Sequence, residues 1–248
     1  MGAKPKIDYG IDAPGVIAAL FFGGLVICLV PTALRPWVRI HGLYVWGGSW
    51  MATALLMLAY AKLGKFRHRE RILALAELGG GETVLDVGTG RGLLAVGAAR
   101  RLPRGRAVGI DIFQKSDLSG NALERTLANV AAEGVAANCE IRHEDARTLS
   151  LADGSVDAVV SNLCLHNIHP RAERERALAE IARVTRPGGR AILSDFIATW
   201  QYAAFFRARG WRVTTRWFPF DTFPPLRIVV AEKPAEPSAA GRASVPQV

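Results

Sequence analysis

The residues best placed to do chemistry run from Val84 to Gly92: Val84-Leu85-Asp86-Val87-Gly88-Thr89-Gly90-Arg91-Gly92. An apolar run ends in a carboxylate, glycines recur at every second position, and a helix-forming stretch follows. Glycines so placed let the backbone pass close beneath a ligand in conformations closed to other residues. A dinucleotide fingerprint, G-x-G-x-x-G, would seat a pyrophosphate on the helix N-terminus. Here the third glycine comes one residue early and Leu93 stands where Gly or Ala is required. Asp86 would also repel a pyrophosphate, whereas it suits a cationic ligand carrying an amino group. Two further carboxylates complete the pattern. Gly109-Ile110-Asp111 closes a second apolar run with an acid able to accept from ribose hydroxyls, and His143-Glu144-Asp145-Ala146 offers Asp145 to an exocyclic amino group. Acids at neighbouring strand ends surround the crevice in which open α/β sheets bind ligands.

Positioning those acids requires an alternation of strands and helices, and the chain reads that way from Thr83 onward. Strands are predicted at Thr83–Asp86, Ala107–Asp111, Cys139–His143, Ala158–Ser161, Arg190–Asp195, Trp211–Arg216 and Arg227–Ala231. A first helix covers Leu93–Leu102. Asn121 and Glu124 have the spacing of a capping box that starts a second, with Leu123, Leu127 and Val130 on one face. Pro170 suits the first turn of a third, whose buried stripe is Leu178, Ile181 and Val184. Pro187-Gly188-Gly189 stops it. A further helix spans Thr199–Arg209, and the Pro-, Ala- and Ser-rich tail after Lys233 reads as disordered.

In this region the chain resembles the class I S-adenosylmethionine-dependent methyltransferases. The likeness runs from Arg71 to about Ala231 and rests on Leu85 to Gly92, on Gly109-Ile110-Asp111, on Asp145-Ala146 with Asp157-Ala158-Val159-Val160-Ser161, and on Arg183-Val184-Thr185-Arg186-Pro187-Gly188-Gly189. It implies an α/β fold: a Rossmann-like, seven-stranded, mostly parallel sheet with helices on both faces and an antiparallel last strand. It also implies S-adenosyl-L-methionine as cofactor, with Gly88 and Gly90 at its methionine end, Asp111 at the ribose and Asp145 at the adenine. The full cofactor-binding set is then Asp86, Gly88, Thr89, Gly90, Gly92, Asp111, Ile112, Asp145, Ala146 and Asn162, with no metal. Methyl transfer is an in-line displacement at an activated sulfonium, so the protein mainly aligns a nucleophile and, where needed, takes a proton. In the loop Ser161 to Pro170, His166 is the candidate catalytic base because imidazole titrates near neutrality; the alternative is a histidine that only packs the loop. His169 is expected to cap the following helix. Cys164 reads as a small hydrophobe, since an arsenic site would need partner thiols. The aromatic turn from Trp217 to Pro225 has three readings: the lining of an apolar substrate pocket, a contact with membrane headgroups, or a small core beneath a long turn.

The first seventy residues differ in kind. Ala13 to Leu34 holds no charge and Gly42 to Leu63 carries only Lys62; each is long enough to cross a bilayer core of about 30 Å. Gly23-Gly24 and Gly47, Gly48, Ser49 and Ala52 would allow close helix approach. The short link from Arg35 to His41 makes them an antiparallel transmembrane hairpin preceding the catalytic domain. Lys62, Lys65, Arg67, Arg69 and Arg71 after it, with Lys4 and Lys6 before it, outnumber Arg35 and Arg39 between. That places both termini and the enzyme domain on the cytoplasmic side of the inner membrane. The expected organisation is an N-terminal cytoplasmic segment (1–12), the hairpin (13–64), the methyltransferase domain (65–232) and the tail (233–248). A cleaved signal peptide fits poorly with the second apolar segment; a hydrophobic lid within a soluble protein is the other alternative. In 248 residues one catalytic domain fits beside a short extra module, and two full domains would be cramped. Cys28, Cys139 and Cys164 are too scattered for a disulfide framework or a zinc site. The net charge of +9 is densest directly after the apolar segments, so membrane orientation accounts for it and nucleic acid is not an expected partner. The expected partners are the membrane, through residues 13–64, and a lipophilic or small-molecule acceptor. The alternatives are an anchored enzyme for a soluble small molecule and a non-catalytic S-adenosylmethionine-binding module.

Overall fold

The computed structural model describes residues 7–33, 41–114 and 118–235. The linking residues Arg35 to Ile40, the cations Lys4 and Lys6, and the tail beyond Ala235 therefore lie outside the described residues. So does the conformation of Lys115–Asp117.

Seven strands form one sheet: β1 (Thr83–Val87), β2 (Arg106–Asp111), β3 (Cys139–His143), β4 (Val156–Asn162), β5 (Thr185–Asp195), β6 (Arg212–Phe218) and β7 (Leu226–Glu232). Their order is β3-β2-β1-β4-β5-β7-β6, and β7 alone runs antiparallel to its neighbours. This is the predicted Rossmann-like sheet. Its central strands are near-continuous apolar runs because both faces are covered. Alternate residues accordingly enter different cores. Leu85, Val87, Val159, Leu193 and Val229 pack with Ile181 and Phe206, which come from α6 (Arg171–Val184) and α7 (Thr199–Arg207). On the other face, Val84, Val160, Ile192 and Ile228 pack with Ile72 and Leu94, from α3 (Lys65–Leu75) and α4 (Leu93–Ala99).

Several local expectations are corrected. The helix after the glycine loop ends at Ala99, short of Leu102. No capping box forms: α5 (Leu123–Ala132) starts without a side-chain cap, and the Asn121 amide donates instead to the Gln114 carbonyl at 3.3 Å. The buried face of α5 is Thr126, Asn129 and Val130, and Leu127 is exposed, because this helix meets a polar partner described below. His169 makes no cap on α6. That helix stops at Val184, where the Thr185 hydroxyl donates back to the Ile181 carbonyl. Pro187-Gly188-Gly189 comes later, inside β5, where the register with β4 shifts. Past Glu232, Lys233 donates to the carbonyls of Ala182 and Thr185.

Two long apolar helices precede this sheet, α1 (Pro14–Ala33) and α2 (His41–Ala59). They meet at Gly24 and Gly47; a Cβ on either would come within 2.5 Å of the other's carbonyl oxygen. Gly48 has open space around it and plays no part in the contact. The only buried residues are Gly24 and Pro31 in α1, and Gly47 and Ala54 in α2. Both helices are long and apolar enough to cross a membrane.

The hairpin is not a separate attachment. After Ala59 the helix passes through a π-helical turn, Tyr60–Gly64, straight into α3, so His41–Leu75 is continuous. Lys65, expected as one of the surface cations after the hairpin, is buried. Its ammonium donates to the carbonyls of Tyr9 and Gly10 at 2.8 and 2.7 Å. Residues 8–12 likewise form a strap on the sheet domain instead of a free leader. Asp8 exchanges hydrogen bonds with the Asn129 side chain and pairs with Arg91 at 2.7 Å. Tyr9 donates to Glu133, Ile11 and Ser119 bond each other, and Asp12 bridges Leu118.

Candidate active site

β1 and β2 deliver Asp86 and Asp111 side by side, their residues paired from Thr83↔Arg106 to Val87↔Ile110. Between strand and helix the chain turns on Gly88, Gly90 and Gly92, with φ of +75°, +53° and +87°. The first is also a close approach: a Cβ on Gly88 would lie 2.2 Å from the Cys164 sulfur. Gly88 and Thr89 both donate to the Ile110 carbonyl, and the Gly90 amide donates to Asp111 Oδ2 at 2.8 Å. The loop is thereby bolted to the neighbouring strand before any ligand arrives.

Asp86 has two duties. Its Oδ2 accepts from the Thr89 hydroxyl at 2.7 Å and from the Ala95 amide at 2.9 Å, holding loop and helix together. Its Oδ1 is buried without a hydrogen-bond partner. Burial pushes this carboxyl up to about 7, outweighing both hydrogen bonds. An orphaned acid oxygen at the floor of a cavity is a ready acceptor for a ligand ammonium.

The cavity, about 270 Å³, brings together Asp86, Gly88, Thr89, Gly90, Asp111, Ile112, Asp145, Ala146 and Asn162. Gly92 lies outside it and serves the turn into α4, with the Thr126 methyl against it. Asp111 Oδ1 accepts from the Phe113 amide. Asp145 is held by a single neighbour. Arg147 grips it through its backbone amide and guanidinium, at 2.6 to 3.0 Å, and holds its carboxyl below the usual range. Arg147 lines the cavity beside it. Asn162 Oδ1 is buried and unpartnered, as Asp86 Oδ1 is.

His166 is placed differently from the catalytic base expected. It is absent from the cavity lining, whereas His169 is part of it. The His166 ring turns toward Asp195, with Nδ1 2.8 Å from Oδ1 but off the direction of an aligned N–H bond. Its edge meets Phe196, and its backbone amide donates to Asp195. Tyr202 donates to the same carboxylate, and Arg174 ties the carbonyls of Leu165 and His166. This network fixes the loop after β4.

Sequence reasoning missed part of the cavity lining, to which Tyr9, Asp12 and Lys65 contribute. Asp12 Oδ2 has no hydrogen-bond partner and lies 3.7 Å from the Lys65 ammonium. Burial raises the Asp12 carboxyl and lowers the Lys65 ammonium, each only partly offset by the other's charge. The signal available was Asp12 just before Pro14, an acid at the start of a helix; nothing local linked it to residues a hundred positions away.

Bare glycine backbone, an acid at each of three adjacent strand ends and unpartnered acceptors facing inward together fit a cationic nucleoside. Residues 84–189 match the family model of a methyltransferase domain. That stretch is similar to methyltransferase domains, and the fold and the site support S-adenosylmethionine as the cofactor. Among known proteins it is similar to the arsenite methyltransferase of Halobacterium salinarum, 37% identical over 127 residues, covering 51% of this chain and 30% of that protein. It is also similar to the ubiquinone/menaquinone biosynthesis C-methyltransferase of Desulfotalea psychrophila, 33% identical over 129 residues, covering 52% and 47%. The chain therefore spans half or less of these relatives' lengths. A geranyl diphosphate methyltransferase solved in complex with S-adenosylmethionine shares the fold, with a TM-score of 0.57 at 16% identity over 72% of this chain and 88% of that one.

Proposed function

We propose that the protein transfers a methyl group from S-adenosylmethionine to a lipophilic small molecule at a membrane surface, its hairpin spanning the inner membrane and its sheet domain facing the cytoplasm. The observation that carries the reading is the shared hollow itself: Asp86, Asp111 and Asp145 line one cavity that is also lined by Tyr9, Asp12 and Lys65, next to the two ends of the hairpin. When bound, the cofactor supplies an activated methyl group. Gly88 and Gly90 admit its methionine end, Asp86 Oδ1 accepts from its ammonium, Asp111 accepts from its ribose, and Asp145 with Arg147 closes the adenine end.

The membrane part of the reading is supported by α1 and α2, which show apolar side chains outward over most of their length; Phe22 is 62% and Val45 75% exposed. Such surfaces are costly in water and neutral in lipid. They also argue against a lid folded into a soluble protein, because that lid would be buried. An acceptor dissolved in the bilayer would meet the crevice at Tyr9, Asp12 and Lys65. Likeness to an arsenite methyltransferase does not carry over its acceptor. Of the three cysteines only Cys164 lines the cavity; Cys139 starts β3 and Cys28 sits in α1.

The test is incubation of membranes holding the full chain with methyl-labelled S-adenosylmethionine, followed by partition into organic, aqueous and protein fractions. Label in the organic fraction, lost in Asp111→Ala, is expected. Label confined to the aqueous fraction would point to a soluble acceptor and a hairpin that only anchors. Cofactor binding without any transfer would leave a non-catalytic module.

A further inference from the structure

The turn between β6 and β7 is the sequence feature that the active site does not use. None of its residues from Trp217 to Pro225 lines the crevice. Its placement is nevertheless specific. Asp195 pairs with Arg227 and Phe218 with Leu226, so the turn lies at the crevice end of the sheet. There it leans on the helix that descends from the hairpin. Phe218 receives the Arg71 guanidinium over its ring at 4.7 Å and the edge of His68 at 6.0 Å. Arg71 also pairs with Asp221. The turn then climbs toward the hairpin, because a Cβ on Gly64 would sit 3.5 Å from the Asp221 carbonyl. From Arg71 to Gly64 is about 10 Å along a helix.

That climb leaves Phe220 98% exposed, beside the level at which Leu63, 73% exposed, leaves the hairpin. Trp217, at the end of the edge strand, is 62% exposed. Thr222 holds the turn in this shape: its hydroxyl donates to the Phe218 carbonyl and accepts from the Leu226 amide. The ring is raised on a braced turn and left uncovered by the described residues. The elements that carry the turn and the end of the hairpin also bear exposed cations: Arg216 on the edge strand, and Lys62 and Arg67 on the descending helix. Apolar tips flanked by Lys and Arg at the end of a membrane helix match the chemistry of the headgroup layer, where aromatic rings settle and cations meet phosphate.

We propose that the β6–β7 turn is a second membrane contact, with Phe220 entering the same leaflet from which the hairpin emerges. The inference rests on the reading of α1 and α2 as membrane-spanning and extends it. Because the helix and the sheet are one packed body, a hairpin alone leaves the whole molecule free to tilt in the bilayer; a second contact at the crevice end limits that tilt and holds the crevice end of the sheet against lipid.

The test uses the full chain in nanodiscs of phosphatidylcholine and phosphatidylglycerol, with p-benzoylphenylalanine replacing Phe220, Phe22 or Arg104 in separate samples. Arg104 lies in the loop before β2, at the opposite end of the sheet. After irradiation, mass spectrometry should find lipid adducts at positions 22 and 220, each at least fivefold above position 104. Adducts at 22 with position 220 no higher than 104 would overturn the second contact and leave the hairpin reading standing. Positions 22 and 220 both at the level of 104 would overturn both. Phe220 packs against almost nothing in the fold, so its replacement does not threaten it.

Discussion

Asp86 shows how one side chain can serve fold and ligand at once. Its Oδ2 is committed to Thr89 and Ala95, which leaves only Oδ1 for chemistry. Held near 7 by burial, the carboxyl is largely protonated at pH 6 in the free protein. An ammonium placed against it favours the charged form and draws that proton off. Binding of S-adenosylmethionine should therefore release about one proton at pH 6 and almost none at pH 8, with affinity rising as pH approaches 7 and then levelling. Calorimetry in buffers of different ionisation heat reads this directly, and a pH-independent affinity would remove Asp86 from the ammonium. Asp111 is the complementary case. On the proposed reading Asp111→Ala removes the ribose acceptor, and it also frees the Gly90 amide that Asp111 holds, so binding should weaken more than tenfold, about 1.4 kcal/mol or more. Equal affinities would end the ribose assignment.

At the scale of elements, the decisive contact is between α3 and the sheet. His68 is buried on α3, 2.6 Å from the Ser194 hydroxyl of β5, and burial lowers its imidazole to about 4. The ring is thus neutral in the folded state, whereas the unfolded chain takes up a proton near pH 6.5. Stability from this group is complete above that value and is lost as pH falls toward 4. Between pH 7.5 and 5 the loss should be about 2 kcal/mol. Asp86 works the other way, since its raised carboxyl favours the folded state at lower pH. The His68 contribution is therefore read as the difference between wild type and His68→Gln in thermal melts across that range. If the two lose stability in parallel, His68 does not titrate as its burial implies. The seven strands were legible because uninterrupted apolar runs have few other uses, and the site acids because they end those runs. Which oxygen of Asp86 faces the ligand, and that His166 turns to Asp195, depend on side-chain torsions that spacing does not encode. The strap was illegible for another reason. Asp8 and Tyr9 find Arg91, Asn129 and Glu133 across more than eighty residues, and short polar segments carry no periodicity to announce such pairing.

For the whole molecule, the strap changes what removal of the hairpin should do. A cut before Gly64 would discard residues 8–12 together with α1 and α2. It would leave Lys65 and Arg91, both buried, without the carbonyls and carboxylates that satisfy them. Buried cations stripped of their partners cost several kcal/mol, so that fragment should fold poorly. The antiparallel hairpin offers a cleaner alternative, because its two feet lie together: Asp12 is 3.7 Å from Lys65. Replacing residues 14–59 with a short Gly-Ser linker keeps the strap, Tyr60 and α3 while deleting the apolar surface. That chain should remain in the supernatant without detergent and bind S-adenosylmethionine within about threefold of the full chain, whereas the full chain should sediment with membranes. Methyl transfer to a lipid-phase acceptor should fall much further than cofactor binding, since only the delivery of the acceptor has been altered. A full chain already soluble without detergent would refute the anchor. A linker variant that aggregates while the cut chain folds would instead show that the strap does not belong to the catalytic domain.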